Sequence, residues 1–330
     1  MGRLVLVLIS MLCLWAASTL PVEGGDPIIT FEWKVTYGDV APLGVPVKGG
    51  FGGLRIHSRP LIPVPYDQPA DEFTVMVGDW FNKGYTSLKK ILDSGRNLGR
   101  ADGIHINGKN AKGDGKDEPL FTMEAGKTYR YRFCNPGLKT AVNVRFQDHV
   151  MKLVEMEGSH TVQNIYESLD LHVGMCFTVL VTADQEPRDY FLVASSRFTK
   201  RDLTATGIVR YLNGNGAPKP DLPKPPVGWA CIETGTWSPE KRMNYNLLDA
   251  VSRHTIQVFP KSWAAVFITF DNAGMWNIRS EVWDRHYLGQ QLYFSSLSPN
   301  RSLRDEYNMR DDTLVCGIVE GMPKPPPFSS

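Results

Sequence analysis

"TYRYRF", Thr128–Phe133, decides the fold class. Tyr129, Tyr131 and Phe133 fall on one side of an extended chain and Arg130 and Arg132 on the other, the alternation of a strand with one face in a core. "VNVRF" (142–146) repeats the pattern with Val142, Val144 and Phe146. Further strand-like runs are "FTVMVGDW" (73–80), "MKLVEME" (151–157), "CFTVLVTA" (176–183), "DYFLVASS" (189–196) and "ATGIVRYL" (205–212), with Gly, Pro, Asp and Asn between them. Short strands so closely spaced predict an antiparallel sandwich or barrel. One helix is expected in "YTSLKKILDSG", where Tyr85, Leu88, Ile91 and Leu92 share a face and Gly95 supplies the stop.

After residue 212 the composition changes. "NGNGAPKPDLPKPPVG" (213–228) is too rich in Pro and Gly to pair into a sheet and reads as a linker between domains. Strand candidates resume in "HTIQVF" (254–259), "WAAVFITF" (263–270) and "TLVCGIV" (313–319), and "ITFEWKVTYG" (29–38) has strand character near the start.

The first 25 residues read as a secretory signal: Arg3, the apolar run "LVLVLISMLCLWAA", then small and polar residues down to "EGGD". The run is short for a membrane span, and none is expected elsewhere. Formal net charge is +1 and stays there once Arg3 and Glu23 are removed, which gives no reason to expect nucleic acid as a partner. Cys13 leaves with the signal, so Cys134, Cys176, Cys231 and Cys316 meet an oxidising compartment with three possible pairings. Asn300-Arg301-Ser302 is a glycosylation acceptor.

Catalytic patterns are scarce. The sequence holds no Cys-x-x-Cys, no His-Glu-x-x-His, no Gly-Lys-Ser phosphate loop and no Gly-x-Ser-x-Gly elbow. The seven histidines, at 57, 105, 149, 160, 172, 254 and 286, never stand two apart, the spacing that would put two ligands on one strand face. His172 and Cys176 in "HVGMC" come nearest to a ligand pair and read as structural. In "GMWNIRSEVWDRHYLGQQLY" (274–293), four aromatic residues surround one histidine, His286.

Several segments together resemble the plant multicopper-oxidase-like proteins of the skewed-growth and pollen-specific type, relatives of ascorbate oxidase and laccase. They are "FEWKVTYGDVAPLGVP" (31–46), "GGFGGLRIHSRPLIPVPY" (49–66), "VGDWF" (77–81), "DGIHINGK" (102–109), "KTYRYRFCNPGLKTAVNVRFQDHVMKLVEMEGSHT" (127–161), "LDLHVGMCFTVLVTADQ" (169–185), "YNLLDAVSRHTIQVFPKSWAAVFITFDNAGMWNIRSE" (245–281) and "YLGQQLY" (287–293). The resemblance implies an all-β protein of cupredoxin-like Greek-key sandwiches, three in the family. Here it implies a signal (1–25), a remnant of the first sandwich (26–63), a complete middle one (64–213), the linker (214–228), a partial third (229–323) and a Pro-rich tail (324–330). The resemblance implies that most of the first domain and part of the third are missing, at "VPVKGGFGG" and "ACIETGTW".

Active members bind copper through His-x-His motifs, one of them His-Cys-His, and this sequence has none. The resemblance places Trp276, Asn277 and Arg279 in the neighbourhood of that run, and none of these residue types is a usual copper ligand. No catalytic residue, metal ligand or cofactor is therefore expected, copper being the family's cofactor. With two sheets about 10 Å apart, Cys134 and Cys176 are expected to bridge between them. Cys316 resembles a C-terminal cysteine that bridges to the first domain, whose partner segment is missing here. The expected function is that of a secreted, copper-free, redox-silent protein of the apoplast or cell wall. It would bind wall polysaccharide or wall proteins, or act structurally, in wall expansion or tip growth. The competing readings are an ascorbate-oxidase-like copper oxidoreductase and a truncated product without independent function.

Overall fold

The structure is a computed structural model, and it describes residues 38–44, 46–49, 52–56, 63–111, 118–212, 214–227, 235–296 and 320–321. "ITFEWKVTYG" up to residue 37, "TLVCGIV", His57, Cys231, Cys316 and Asn300 lie outside them.

A short antiparallel pair comes first, β1 (Gly38–Val40) with β2 (Val47–Gly49). The main body is two facing sheets. One contains β3 (Glu72–Trp80), β4 (Gly103–Ile106), β6 (Thr128–Cys134), β8 (Met151–Met156), β9 (Ser159–His160), β10 (Ile165–Tyr166) and β12 (Cys176–Thr182). The other contains β5 (Pro119–Met123), β7 (Val142–Phe146), β11 (Leu169–Leu171), β13 (Asp189–Ser196) and β14 (Thr204–Tyr211). The strand orders are β10-β8-β12-β6-β3-β4, with β9 on β8, and β11-β7-β13-β14-β5. Most neighbours are antiparallel, but β3 lies parallel to β6 and β5 parallel to β14. Those pairings require the chain to cross between sheets instead of returning by hairpins.

Period-two alternation builds the core. Tyr129, Tyr131 and Phe133 point inward from β6 and meet Phe121, Val142, Val144 and Phe146 from the opposite sheet. The Tyr131 and Phe146 rings lie 4.9 Å apart and those of Phe121 and Tyr131 5.4 Å apart, both edge to face, so aromatic contacts tie the layers together. Each fully buried large side chain contributes about 1.5–3 kcal/mol through removal from water.

The outer faces are also occupied. On the first sheet, Glu72 accepts bonds from Arg55 Nη1 at 2.8 Å and Arg130 Nε at 2.8 Å. Arg132 reaches both Glu72 and Glu155, and Tyr66 donates its hydroxyl to Glu155 at 2.6 Å. On the second sheet lies the Pro-rich segment. It forms no strand, as its composition predicts, yet it is a strap and not a free spacer. Its carbonyls accept from buried side chains: Lys219 and Asp221 from Gln147 Nε2, and Pro223 from Arg145 Nε at 2.6 Å. Leu222 packs on Phe191, Val193 and Ile208. Prolines keep this chain extended with carbonyls free to accept, and a polar sheet face uses them.

Helix α1 (Tyr85–Asp93) ends at Gly95, whose φ of 75° is the left-handed conformation that glycine adopts at least cost. It packs through Leu88 and Leu92 against Phe81 and Leu98, whereas Tyr85 is half-exposed, so the expected stripe is narrower than its sequence pattern.

In the C-terminal part the structure corrects two expectations. Residues 254–259 and 263–270 form no strand. β structure instead occupies β15 (Gly274–Arg279) and β16 (Gln291–Ser296), an antiparallel pair not anticipated from periodicity. A strand is held by its neighbour's ladder, and among the described residues 263–270 has none. Most of its apolar side chains stay in solvent, Phe267 at 94% exposure.

Candidate functional site

The stretch from Gly274 to Tyr293, singled out above by its resemblance to a copper-ligand neighbourhood, runs through β15 into β16. Between β15 and β16 stands a short helix, α2 (Trp283–Tyr287). The register pairs Trp276 with Phe294, Asn277 with Tyr293 and Ile278 with Leu292.

One socket on the sandwich seats this hairpin. Asp284, 2% exposed, accepts from Lys139 Nζ at 2.5 Å and from the Leu98 amide at 3.3 Å. The Trp283 amide donates to the Leu138 carbonyl at 2.8 Å, and the Tyr287 hydroxyl donates to Asp93 on α1. Leu138 and Lys139 are themselves fixed by a second buried acid, Asp79. Its carboxylate accepts from the amides of Leu138 (2.6 Å), Lys139 (3.1 Å) and Thr140 (2.9 Å) and from the Thr140 hydroxyl (2.7 Å). Burial pushes the Asp79 carboxyl up, against these donors, which favour the anion. Gly137 is required here, since a Cβ on it would sit 2.5 Å from Asp79 Oδ1. Periodicity and motif searches missed both acids, although an Asp inside the apolar run "VMVGDWF" was a usable signal: a buried carboxylate demands donors.

The expected site residues are placed as follows. Cys134 and Cys176 are joined, with sulfurs 2.01 Å apart. They sit directly opposite each other on β6 and β12, within one sheet, so the bridge does not span the two layers as the spacing argument required. Neighbouring antiparallel strands lie about 5 Å apart, closer than two packed sheets. His172 follows β11, its ring stacked near Phe198 with centroids 6.1 Å apart, and burial pulls its pKa down. It shares no metal-ligand arrangement with Cys176, whose sulfur is in the disulfide. His286 lies on α2, its ring 5.9 Å from Trp283.

Several described histidines are already committed within the protein. His149 places Nδ1 2.6 Å from the Gln147 carbonyl and Nε2 2.5 Å from the Tyr211 hydroxyl. His105 accepts from the Gly108 amide through Nδ1, and burial holds it down to about 4. His254 lies against Glu157. Among the described residues, no three His, Cys, Asp or Glu side chains gather as metal ligands, and both described cysteines are oxidised. These donors do not fit the thiolate-and-imidazole set of a blue-copper centre.

Two facing sheets with the chain crossing between them define an all-β sandwich. Residues 71–214 and 229–302 each match a sequence family described as "Multicopper oxidase". An "L-ascorbate oxidase homolog" of Nicotiana tabacum is 44% identical over 420 aligned positions, covering 86% of this chain and 76% of that protein. Its counterpart in Brassica napus is 43% identical, covering 84% and 74%. "Monocopper oxidase-like protein SKU5" of Arabidopsis thaliana is 29% identical, covering 86% and 73%. Among solved structures, the multicopper oxidase Fet3p covers 70% of this chain and 40% of its own, at 17% identity and a TM-score of 0.40. The chain belongs to the multicopper oxidase family. It is a shortened member: an alignment of 420 positions takes in 86% of 330 residues, so it passes through internal gaps in this chain of more than a hundred positions.

Proposed function

We propose that this is a secreted, copper-free and redox-silent member of the multicopper oxidase family, with a binding or structural role in the plant cell wall. The observation that carries the reading is the commitment of the donors. The nitrogens of His149 are bonded inside the sandwich, and the sulfurs of Cys134 and Cys176 are bonded to each other. Where the family resemblance looks for a ligand run, β15 instead carries Trp276, Asn277 and Arg279. A wall environment accords with the signal-like start of the sequence and the acceptor at Asn300. The partners in this reading are wall polysaccharide or wall proteins.

The test is metal analysis of the protein purified from a plant secretory host, with ascorbate and phenol oxidation and retention on insoluble wall material measured on the same sample. Copper below stoichiometric levels, no oxidation and saturable retention are expected. Stoichiometric copper or an intense blue absorption band overturns the copper-free reading. Failure to be retained by any wall fraction overturns the binding role.

A further inference from the structure

We propose that His172 is an acid-sensitive latch: it holds residues 254–259, in the run between the strap and the hairpin, against the sandwich, and releases them when its ring takes up a proton. The run forms no strand, so side chains have to attach it. Its exposure alternates. Ile256 (41%) and Val258 (59%) stand in solvent, whereas Thr255, Gln257 and Phe259 are half-buried. The side turned to the protein is therefore mostly polar, and only Phe259 brings it a large apolar contact.

Two anchors hold this run. At one end the wholly buried carboxylate of Glu157 accepts from the amides of His254 (2.7 Å) and Thr255 (2.8 Å) and from the Thr255 hydroxyl. At the other, the Phe259 ring stands edge-on to His172, with centroids 6.2 Å apart, and to Phe198, at 5.8 Å. The His172 and Phe198 rings are stacked 6.1 Å apart, so the three close on one another.

The trio is built for a neutral imidazole. His172 Nε2 is buried and has no hydrogen-bond partner. Both nitrogens of a charged ring are donors, so protonation would leave a buried N–H unpaired and a charge between two phenyl rings. The neighbouring charges do not offset this cost. Asp170 favours the charged ring, but its carboxylate already accepts from Arg197 Nε at 3.1 Å and from Asn143 at 2.7 Å. Arg197 opposes a second cation, with its guanidinium 4.6 Å from the centre of the Phe198 ring. Residues 255–259 carry no charge, His254 faces Glu157 at 3.5 Å, and Glu281, which packs on Gly174, is paired with Arg279. Burial accordingly pulls the His172 pKa below its ordinary 6.5. A lowered folded value means that the ring's contribution is complete above about pH 6.5 and is lost as pH falls through the folded value. Held by Glu157 alone, the run loses the effective concentration that a second anchor provides, and the His254 and Thr255 amides open more often. Asp284 keeps the hairpin seated throughout.

The experiment is hydrogen exchange on the full secreted chain between about pH 7.5 and about pH 5, corrected for the intrinsic pH dependence of exchange. The His254 and Thr255 amides should exchange at least about tenfold faster at the acid end, while those of β6 and β12 keep their corrected rates. His172→Phe retains a ring but cannot be protonated, and should abolish the acceleration. Phe259→Ala should give the fast exchange already at the neutral end. No acceleration in the unsubstituted chain overturns the proposal, and so does equal acceleration in β6 and β12, which marks a global acid effect such as that of His105. Persistence of the acceleration in His172→Phe overturns it by assigning the response to another group, Glu157 foremost. Neutral exchange unchanged by Phe259→Ala overturns it by showing that the aromatic contact holds nothing.

Discussion

Replacing Asp284 with Ala should unseat the hairpin while leaving the sandwich intact. The carboxylate is 2% exposed and has two donors, Lys139 Nζ at 2.5 Å and the Leu98 amide at 3.3 Å. Its loss strands a buried amide and a lysine. Breaking a buried ion pair costs about 3–5 kcal/mol, most of it from the charge left behind. Lys139 keeps 24% of its side chain in solvent and can turn outward, which brings the cost below that range, to about 2–3 kcal/mol. That penalty falls on docking of α2 with β15 and β16, because Asp284's hydrogen-bond partners, Lys139 and Leu98, lie outside the core cluster around Tyr131 and Phe146. Hydrogen exchange by mass spectrometry reads it directly. Amides in 274–296 should exchange roughly 30- to 150-fold faster at 1.4 kcal/mol per tenfold, while those of β6 and β12 keep their rates. Asp284→Asn, which retains an acceptor for Leu98, should show a smaller effect. Unchanged exchange in 274–296, or equal acceleration throughout the sandwich, would refute the view of Asp284 as the hairpin's tether.

Acid should weaken the fold in two separable steps. Burial holds His105 at about 4, against an unfolded value near 6.5, so its contribution is complete above about pH 6.5 and is lost as pH falls towards 4, up to roughly 3 kcal/mol. Urea midpoints measured across that interval should decline for the native chain and decline less for His105→Gln. Glu72 is pushed up by burial, but its bonds to Arg55 and Arg130 bring it down to about 2. Its stabilisation is therefore present above about pH 4.5 and disappears as pH falls towards 2, a slope that Glu72→Gln should flatten. The Cys134→Ala/Cys176→Ala variant should lose about 4 kcal/mol in urea unfolding, given a bridge closing a separation of 42 residues, and peptide mapping that finds both thiols free would contradict the bond. Limited proteolysis should cut first within 247–273, where Leu248 and Phe267 are nearly fully exposed, and spare 64–227, including the strap; survival of 247–273 as long as the sandwich would count against this reading.

The sequence alone was enough to set out the sandwich. Strands such as β6, β7 and β13 carry inward residues of their own, and an alternation that puts Tyr131 and Phe133 on one side specifies a face whatever sheet receives it. The family was legible for a similar reason, since ordered motifs such as 127–161 do not depend on knowing what they touch. Where a structure depends on partners distant in the chain, the sequence was a poor guide. "WAAVFITF" has every local property of a strand but no ladder partner among the described residues, and hydrogen bonding rather than propensity makes a strand. The Pro-rich stretch reads as a spacer until Arg145 and Gln147, more than 70 residues earlier, donate to its carbonyls. Cys134 and Cys176 could be paired from the sequence, but only the register shows that they are neighbours in one sheet. Asp79 and Asp284 look like isolated acids in the sequence. Each is explained by donors 59 to 186 residues away, because a buried charge is tolerated only where the tertiary fold converges enough dipoles and charges upon it.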